Sequence, residues 1–316
     1  MGLKNKILSE LEQNREVSLS GQELARQFGV SRNAVWKAVQ ALRQEGYDIQ
    51  STTNQGYRLV PGCDRLNANE VARYLGDVDL PVYLFDTLDS TNNQAKRILN
   101  EQNTREFLVL CEKQTGGRGR YGRSFYSPSG AGLYMTLVTS PGLQLEDVVG
   151  ITSFAAVCVV KAIRRLTGKT GQIKWVNDVF LDGRKLCGIL TEAVSDFETA
   201  TVSSIIIGIG INLYPSALPG ELAEVVGFLE PSHAVKNQLA AEITRELLQY
   251  DGSSDYLQEY KKHSLVLGRE ITYQKNGVWY DGCARDIDTN GGLIVVRADG
   301  YTDTLQSGEI HVKLKE

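Results

Sequence analysis

Residues 20–46 are confined to two short capped helices joined at Gly29. Ser20 followed by Glu23 is a capping-box pattern that opens a helix, and Gly29 stops it after Phe28. Ser31 caps the next segment, RNAVWKAVQALRQEG, whose Val35, Val39 and Leu42 fall on one face, and Gly46 ends it. A helix, a tight glycine-containing turn and a second helix make a helix-turn-helix. Ile7, Leu8 and Leu11 predict one helix before it. YDIQSTTNQGYRL then reads as two short strands around a polar turn at Thr53–Gly56. Residues 1–64 are therefore expected to form a winged helix-turn-helix, with PGCDRLN (61–67) reading as a linker.

In such a motif the start of the second helix meets base edges and phosphates, which brings forward Ser31, Arg32, Asn33, Trp36 and Lys37. Arg58 on the wing is placed for a phosphate. Residues 1–60 carry eight Lys/Arg against six Asp/Glu, a slight excess in a chain of net charge −4. No global field draws this protein to nucleic acid. One domain with so few charges binds DNA weakly, and a dimer on a two-fold operator would remedy that. The same pattern serves a winged helix that contacts protein, so that alternative stays open.

The five cysteines, Cys63, Cys111, Cys158, Cys187 and Cys283, are scattered and form no CxxC, which predicts reduced thiols in a cytoplasmic protein. His233, His263 and His311 lie far apart, and no zinc site is expected from them. The apolar run Val148–Ile163 is broken by Lys161 and is too short to span a bilayer. The N-terminus lacks a signal-peptide apolar stretch, so a soluble protein without membrane partners is expected.

From residue 65 to 267 strand and helix patterns alternate. VYLFDTL and FLVLCEKQ read as strands flanking the helix STNNQAKRILNE, and GLYMTLVTS as a further strand. VVGITSFAAVCVVKAIRRLTG reads as a long buried helix, and HAVKNQLAAEITRELLQY and SDYLQEYKKHS as helices. QIKWVNDVFLDGRKLCGILTEAV reads as a two-stranded hairpin about Asp182–Gly183, and SSIIIGIGINL as a buried strand. The expectation is an α+β domain with a large mixed sheet. Residues 268–316 change to five short strands separated by NG, TNGG and ADG, which predicts a small SH3-like barrel.

GGRGRYGRSFYSP, residues 116–128, fits neither pattern. Arg118, Arg120 and Arg123 alternate with Gly117, Gly119 and Gly122. Glycine lets backbone N–H groups approach an anion, and arginine supplies paired donors, so the segment suits a phosphate or a carboxylate. A solvated turn that orders only on binding has the same composition. Other phosphate motifs fail: GKT at 168–170 has Ile163 where a P-loop needs glycine, and GIGINL (208–213) lacks the last glycine of a dinucleotide fingerprint. DSTNNQ (89–94) puts Ser90, Thr91 and Asn92 at a strand-to-helix junction, as helix cap or as ligand contact. KWVND (174–178) and GRKLCGIL (183–190) bring Lys174, Asn177, Asp178 and Lys185 together at strand ends.

Taken together, DSTN, the Gln114 to GGRGRYGR stretch, KWVNDVFLDGRKLCGIL and GIGINL resemble, in order and separation, the biotin protein ligases. The winged helix makes the likeness one to the bifunctional class, the biotin operon repressor/ligases, over essentially the whole chain. The resemblance implies that biotin's carboxylate attacks the α-phosphorus of ATP, giving biotinyl-5′-AMP and pyrophosphate. A lysine of the biotin carboxyl carrier protein of acetyl-CoA carboxylase then attacks the mixed anhydride. It further implies Mg²⁺ as cofactor, and a homodimer formed on binding biotinyl-5′-AMP that represses biotin synthesis genes at operator DNA.

By the same resemblance Ser90, Thr91, Asn92 and Gln114 bind biotin, and Arg118 with the Gly117–Gly119 backbone closes over it. Arg120 and Arg123 face phosphates, and Lys185 lies between carboxylate and α-phosphate. Lys185, Arg118 and Arg120 are then the catalytic set, and Asn177, Asn212 and Phe125 serve the nucleotide. Asp178 would hold Mg²⁺, with Gly188, Leu190 and Gly210 as walls. The sequence departs from the family pattern at Tyr121 (arginine), Phe125 (tryptophan), Val176 (proline) and Lys313 (arginine in some relatives). A ligase whose winged domain binds no DNA, a sensor without catalysis and a lipoate ligase of the same fold stay as alternatives.

Overall fold

The computed structural model describes residues 2–14, 17–44, 47, 49–52, 56–60, 64–102, 104–140, 148–195, 202–306 and 310–312. Gly46, most of the Thr53–Gly56 turn, Cys63 with part of the 61–67 linker, and Lys313 lie outside them. The chain forms two compact units, residues 1–65 with 232–235, and residues 66–231 with 236–316.

In the first unit, helices α1 (Leu3–Gln13), α2 (Gly21–Gln27) and α3 (Arg32–Gln44) precede a hairpin of β1 (Ile49–Thr52) and β2 (Gly56–Leu59). The expected caps are in place: Ser20 Oγ accepts from Gln22 N–H at 3.2 Å, and Ser31 Oγ from Ala34 N–H at 3.2 Å. Gly29 takes φ +64°, a left-handed conformation that glycine adopts without strain, and this turns the chain from α2 into α3. Val35, Val39 and Leu42 are fully buried against Ile7, Leu11, Leu24 and Leu59. β1 and β2 pair antiparallel with Ile49 opposite Leu59, which forms the wing.

The second unit opens with α4 (Ala68–Leu75), β3 (Val82–Leu88), α5 (Thr91–Glu101), β4 (Phe107–Gln114), β5 (Gly132–Thr139) and α6 (Val148–Thr167). It continues through β6 (Gln172–Lys174), β7 (Asp178–Leu181), β8 (Arg184–Ser195), β9 (Val202–Asn212), α7 (Leu222–Val225), α8 (Lys236–Leu247) and α9 (Leu257–Lys262). Strands β3 to β9 form one sheet in the order β3-β4-β5-β9-β8-β7-β6, with β3 and β4 parallel and all other neighbours antiparallel. Side chains alternate between the two faces of a strand. On β4, Phe107 and Val109 pack with Ala95 and Ile98 of α5, whereas Glu112, of opposite parity, meets Lys236 of α8. Helix α5 thus covers one face, and α8 with α4 and α6 the other.

One sequence expectation is corrected here, and one helix was not predicted. KWVND does not continue a strand: residues 175–177 form a turn that separates β6 from β7, so 172–195 holds three strands rather than two. Helix α4 follows the linker directly, started by Asn67, whose Oδ1 accepts from the N–H groups of Asn69 and Glu70. The Asp182–Gly183 turn is as expected, with both residues at positive φ.

Five strands close the chain: β10 (Glu270–Lys275), β11 (Val278–Ile287), β12 (Leu293–Val296), β13 (Thr302–Leu305) and β14 (Ile310–Val312). They form an antiparallel sheet ordered β13-β12-β11-β10-β14. Asp303 is buried among Tyr273, Lys275 and Arg297. Burial alone would raise its carboxyl, but hydrogen bonds from Lys275, Tyr273 and Arg297 outweigh that and lower it to about 2. Trp175 in the KWVND turn donates its indole N–H to Gly291 O at 2.9 Å, tying this sheet to the central one.

Candidate active site

The register of β7, β8, β9 and β5 lays out a floor on the α5 face. Asp178 lies opposite Gly188, Gly188 opposite Gly210, and Gly210 opposite Tyr134. Two adjacent strands therefore present no side chain in this row, leaving a strip about 10 Å across, two strand spacings wide. The Phe125 ring lies over it: a Cβ built at Gly210 would come within 2.4 Å of the ring, and one at Gly188 within 3.3 Å. The cavity above this floor measures about 190 Å³.

At one end, Ser90 precedes α5, is buried, and makes no capping bond with its hydroxyl. Gln114 Oε1 accepts from the N–H of Thr91 at 2.8 Å and from its hydroxyl at 3.2 Å, while Gln114 Nε2 donates to Ser127 Oγ at 2.9 Å. Asn92 is buried with both polar atoms of its side chain engaged. Its Oδ1 accepts from Thr136 Oγ1 at 2.7 Å, and its Nδ2 donates to Glu192 Oε2 at 2.8 Å and Leu190 O at 3.3 Å. Glu192 also pairs with Lys96 at 2.7 Å. Burial pushes the Glu192 carboxyl up, but bonds from Lys96 and Asn92 leave it below its ordinary value. Gly208 accommodates Asn92, since a Cβ there would fall 2.2 Å from Asn92 Oδ1.

At the other end, Lys185 Nζ lies 2.8 Å from Asp178 Oδ2. Asp178 Oδ1 is buried with no hydrogen-bond partner. Asn177 is clamped to β8 through its Nδ2 and backbone O, both bonded to Ile189, and its Oδ1 accepts from Arg120 Nη1 at 3.1 Å.

The arginine-glycine segment folds back on itself between these ends. Gly119 N–H donates to Arg123 O at 2.7 Å, and Phe125 N–H to Gly117 O at 2.8 Å. The turn passes through Tyr121 and Gly122, both at positive φ. Tyr121 is exposed and its ring lies beside the Arg120 guanidinium, 5.2 Å from it. Arg118 donates to Asn93 Oδ1 at 2.5 Å. The cavity walls carry Arg118, Arg120, Arg123, Lys174 and Lys185 against the single carboxylate of Asp178. Within a chain of net charge −4, this local surplus of cations suits a polyanion.

Of the residues singled out from sequence, Ser90, Thr91, Asn92, Gln114, Arg118, Gly119, Arg120, Arg123, Phe125, Asn177, Asp178, Lys185, Gly188, Leu190 and Gly210 line this one cavity. Gly117 and Asn212 do not. Gly117 packs under Phe125 O and Ser127, and Asn212 donates to Lys185 O at 3.4 Å, bracing the strand that carries the lysine. Lys174, brought forward with the KWVND cluster, lines it too, as do Trp175, Gly208 and Ile310, to which sequence reasoning gave no role. Lys174 and Trp175 stand inside the quoted KWVND motif. Ile310 comes from β14, and no local pattern ties it to lining residues 100 or more positions earlier.

On α3, Ser31, Arg32, Asn33, Trp36 and Lys37 are all exposed. No helix among the described residues is long and apolar enough to cross a membrane. Among them no three His, Cys, Asp or Glu residues gather as a metal cluster.

Residues 84–212 match the model of the biotin/lipoate A/B protein ligase family, and residues 4–58 match an HTH domain model. The chain is 33% identical to the bifunctional ligase/repressor BirA of Bacillus subtilis over 312 residues, covering 94% of this chain and 95% of that one. With the bifunctional ligase/repressor BirA of Escherichia coli it shares 29% over 308 residues, 94% of each. Among solved structures, a biotin protein ligase from Aquifex aeolicus in complex with biotin and ATP superposes with TM-score 0.62 at 22% identity, covering 74% of this chain and 99% of that one, a likeness of fold.

Proposed function

The chain belongs to the family of bifunctional ligase/repressors, and on that footing we propose that one cavity makes the intermediate that both its activities use. It is a biotin–protein ligase with a DNA-binding repressor domain. The observation that carries the chemistry is Lys185 held beside Asp178 at the edge of a side-chain-free floor, under a wall of arginines.

Biotin and ATP are both anionic, so their reacting ends repel. Biotin's carboxylate oxygen attacks the α-phosphorus, the bond to the β-phosphate oxygen breaks, and pyrophosphate leaves. Lys185 stands where it offsets the repulsion and meets the charge that develops on the α-phosphate oxygens. Arg120, set by Asn177, supplies paired donors to the same oxygens. Ser90, Thr91 and Gln114 form the polar end for the ureido ring, and Phe125 the flat apolar wall. In the second step a lysine amine of a biotin carboxyl carrier protein attacks the acyl carbon. AMP leaves and the amine gives up a proton.

The donor set fits Mg²⁺ brought in with ATP. Asp178 Oδ1 is a hard oxygen left without a partner, and Mg²⁺ binds through one or two carboxylates plus substrate phosphates. A bound ion would neutralise phosphate charge as pyrophosphate departs.

Adenylate binding is proposed to favour a homodimer that presents two copies of α3 to a two-fold operator. Pyrophosphate release by the full chain from MgATP tests the ligase reading. Release that needs biotin, with a carrier domain then captured by streptavidin, is the expected result. Release supported equally by lipoate would overturn the assignment to biotin.

A further inference from the structure

Helix α3 shows an apolar residue where solubility alone would not place one. Val35, Ala38, Val39 and Leu42 turn inward and are buried. Asn33, Trp36, Lys37 and Gln40 recur at i, i+3, i+4 and i+7, which makes them one outward stripe. In that stripe Trp36 is 50% exposed, and it takes no part in the apolar core of its own domain. Its neighbours Arg32, Asn33 and Lys37 are polar, exposed and near the start of the helix that enters the major groove.

One base-pair feature in the major groove is apolar, the 5-methyl group of thymine. Arginine, asparagine and lysine read donors and acceptors, and none of them is suited to that methyl. We propose that Trp36 is the specificity-determining residue for thymine, packing its indole against a thymine 5-methyl group in each half-site. This rests on the repressor reading of the winged domain. The indole, half exposed in the free protein, is covered in the complex, and a methyl buried against it contributes to affinity only where thymine stands.

The test uses the full chain with biotin and MgATP, and a duplex selected by it from a random library. Each thymine is replaced in turn by deoxyuridine, which deletes only the methyl group. For the natural chain, one position per half-site is expected to weaken binding about four-fold, and about fifteen-fold when both half-sites are changed. For Trp36→Ala the same replacement is expected to have no effect. Circular dichroism reports whether the variant folds, and Trp36→Gln serves as a second variant. Equal sensitivity to deoxyuridine in the natural chain and both variants overturns the proposal. Insensitivity of the natural chain at every position overturns it too. If no duplex is selected at all, the repressor reading itself fails, a result distinct from loss of thymine discrimination alone.

Discussion

Lys185 and Asp178 hold each other across the β7–β8 hairpin, Nζ to Oδ2 at 2.8 Å, while the second oxygen of Asp178 stays buried and unpartnered. In the proposed reaction the pair would position a cation for the phosphate and leave an oxygen for Mg²⁺. Lys185→Ala removes the first. Biotin-dependent pyrophosphate release is expected to fall by about 10²–10³-fold, the usual cost of one well-placed donor. Biotin affinity by calorimetry is expected to change far less. Unaltered release would refute the role given to Lys185.

Asp178→Asn tests the reserved oxygen. The amide keeps the shape but loses the charge that draws a hard cation. The Mg²⁺ concentration giving half-maximal adenylation is expected to rise several-fold, and a titration at saturating ATP measures it. An unchanged midpoint would remove Asp178 from the metal site.

Gly208 and Asn92 are fitted to one another, because a Cβ at 208 would lie 2.2 Å from Asn92 Oδ1. Gly208→Ala is expected to destabilise the chain by about 1–3 kcal/mol through overpacking. Asn92→Ala also destabilises, since it strips Thr136 and Glu192 of a buried partner. The double variant should lose clearly less than the sum, because removing the amide makes room for the methyl. Urea midpoints of the four proteins decide it.

Acid should loosen the C-terminal sheet through Asp303. Its carboxyl, ordinarily near 3.8, is held at about 2 in the folded chain. A depressed carboxyl adds stability above its ordinary value and loses that contribution as pH falls toward the folded value. Stability is therefore expected to drop between about pH 4 and pH 2. Asp303→Asn should be less stable at pH 5 and show a shallower drop over that window, read from urea midpoints at each pH.

Adenylate should couple the two activities. Operator binding, followed by fluorescence anisotropy at fixed salt, is expected to tighten about 5- to 150-fold when biotin and MgATP are both supplied. The rise should follow protein concentration as a dimer requires. A dimer constant indifferent to ligand would sink the dimer mechanism, and no DNA binding in either state would leave a ligase alone.

The winged domain was legible because its signals are local. Ser20, Gly29 and Ser31 act on neighbours a few residues away, and Val35, Val39 and Leu42 mark one helix face. The five terminal strands were legible through their turn residues. The central sheet was harder. In KWVND, Trp175 and Val176 favour a strand, yet Trp175 turns toward Gly291 and Asn177 toward Arg120, partners 116 and 57 residues distant. No window of sequence shows such pulls. Gly117 and Asn212, which the family resemblance puts at the ligand, lie just outside the cavity lining. In the structure Gly117 packs against Phe125 O and Asn212 bonds to Lys185 O. Ile310 was missed because its contribution depends on how the last sheet docks.

That docking bears on how the molecule can be taken apart. The Trp175 indole bonded to Gly291 and the Ile310 side chain at the cavity make the last sheet a wall of the site. A fragment ending near residue 267 would retain Lys185 and the arginines but leave the cavity open to water on that side. Supplied separately, the terminal fragment has a specific seat to return to. Cutting the chain there would yield halves of one enzyme, inactive apart and capable of complementation, rather than a catalyst and a dispensable tail.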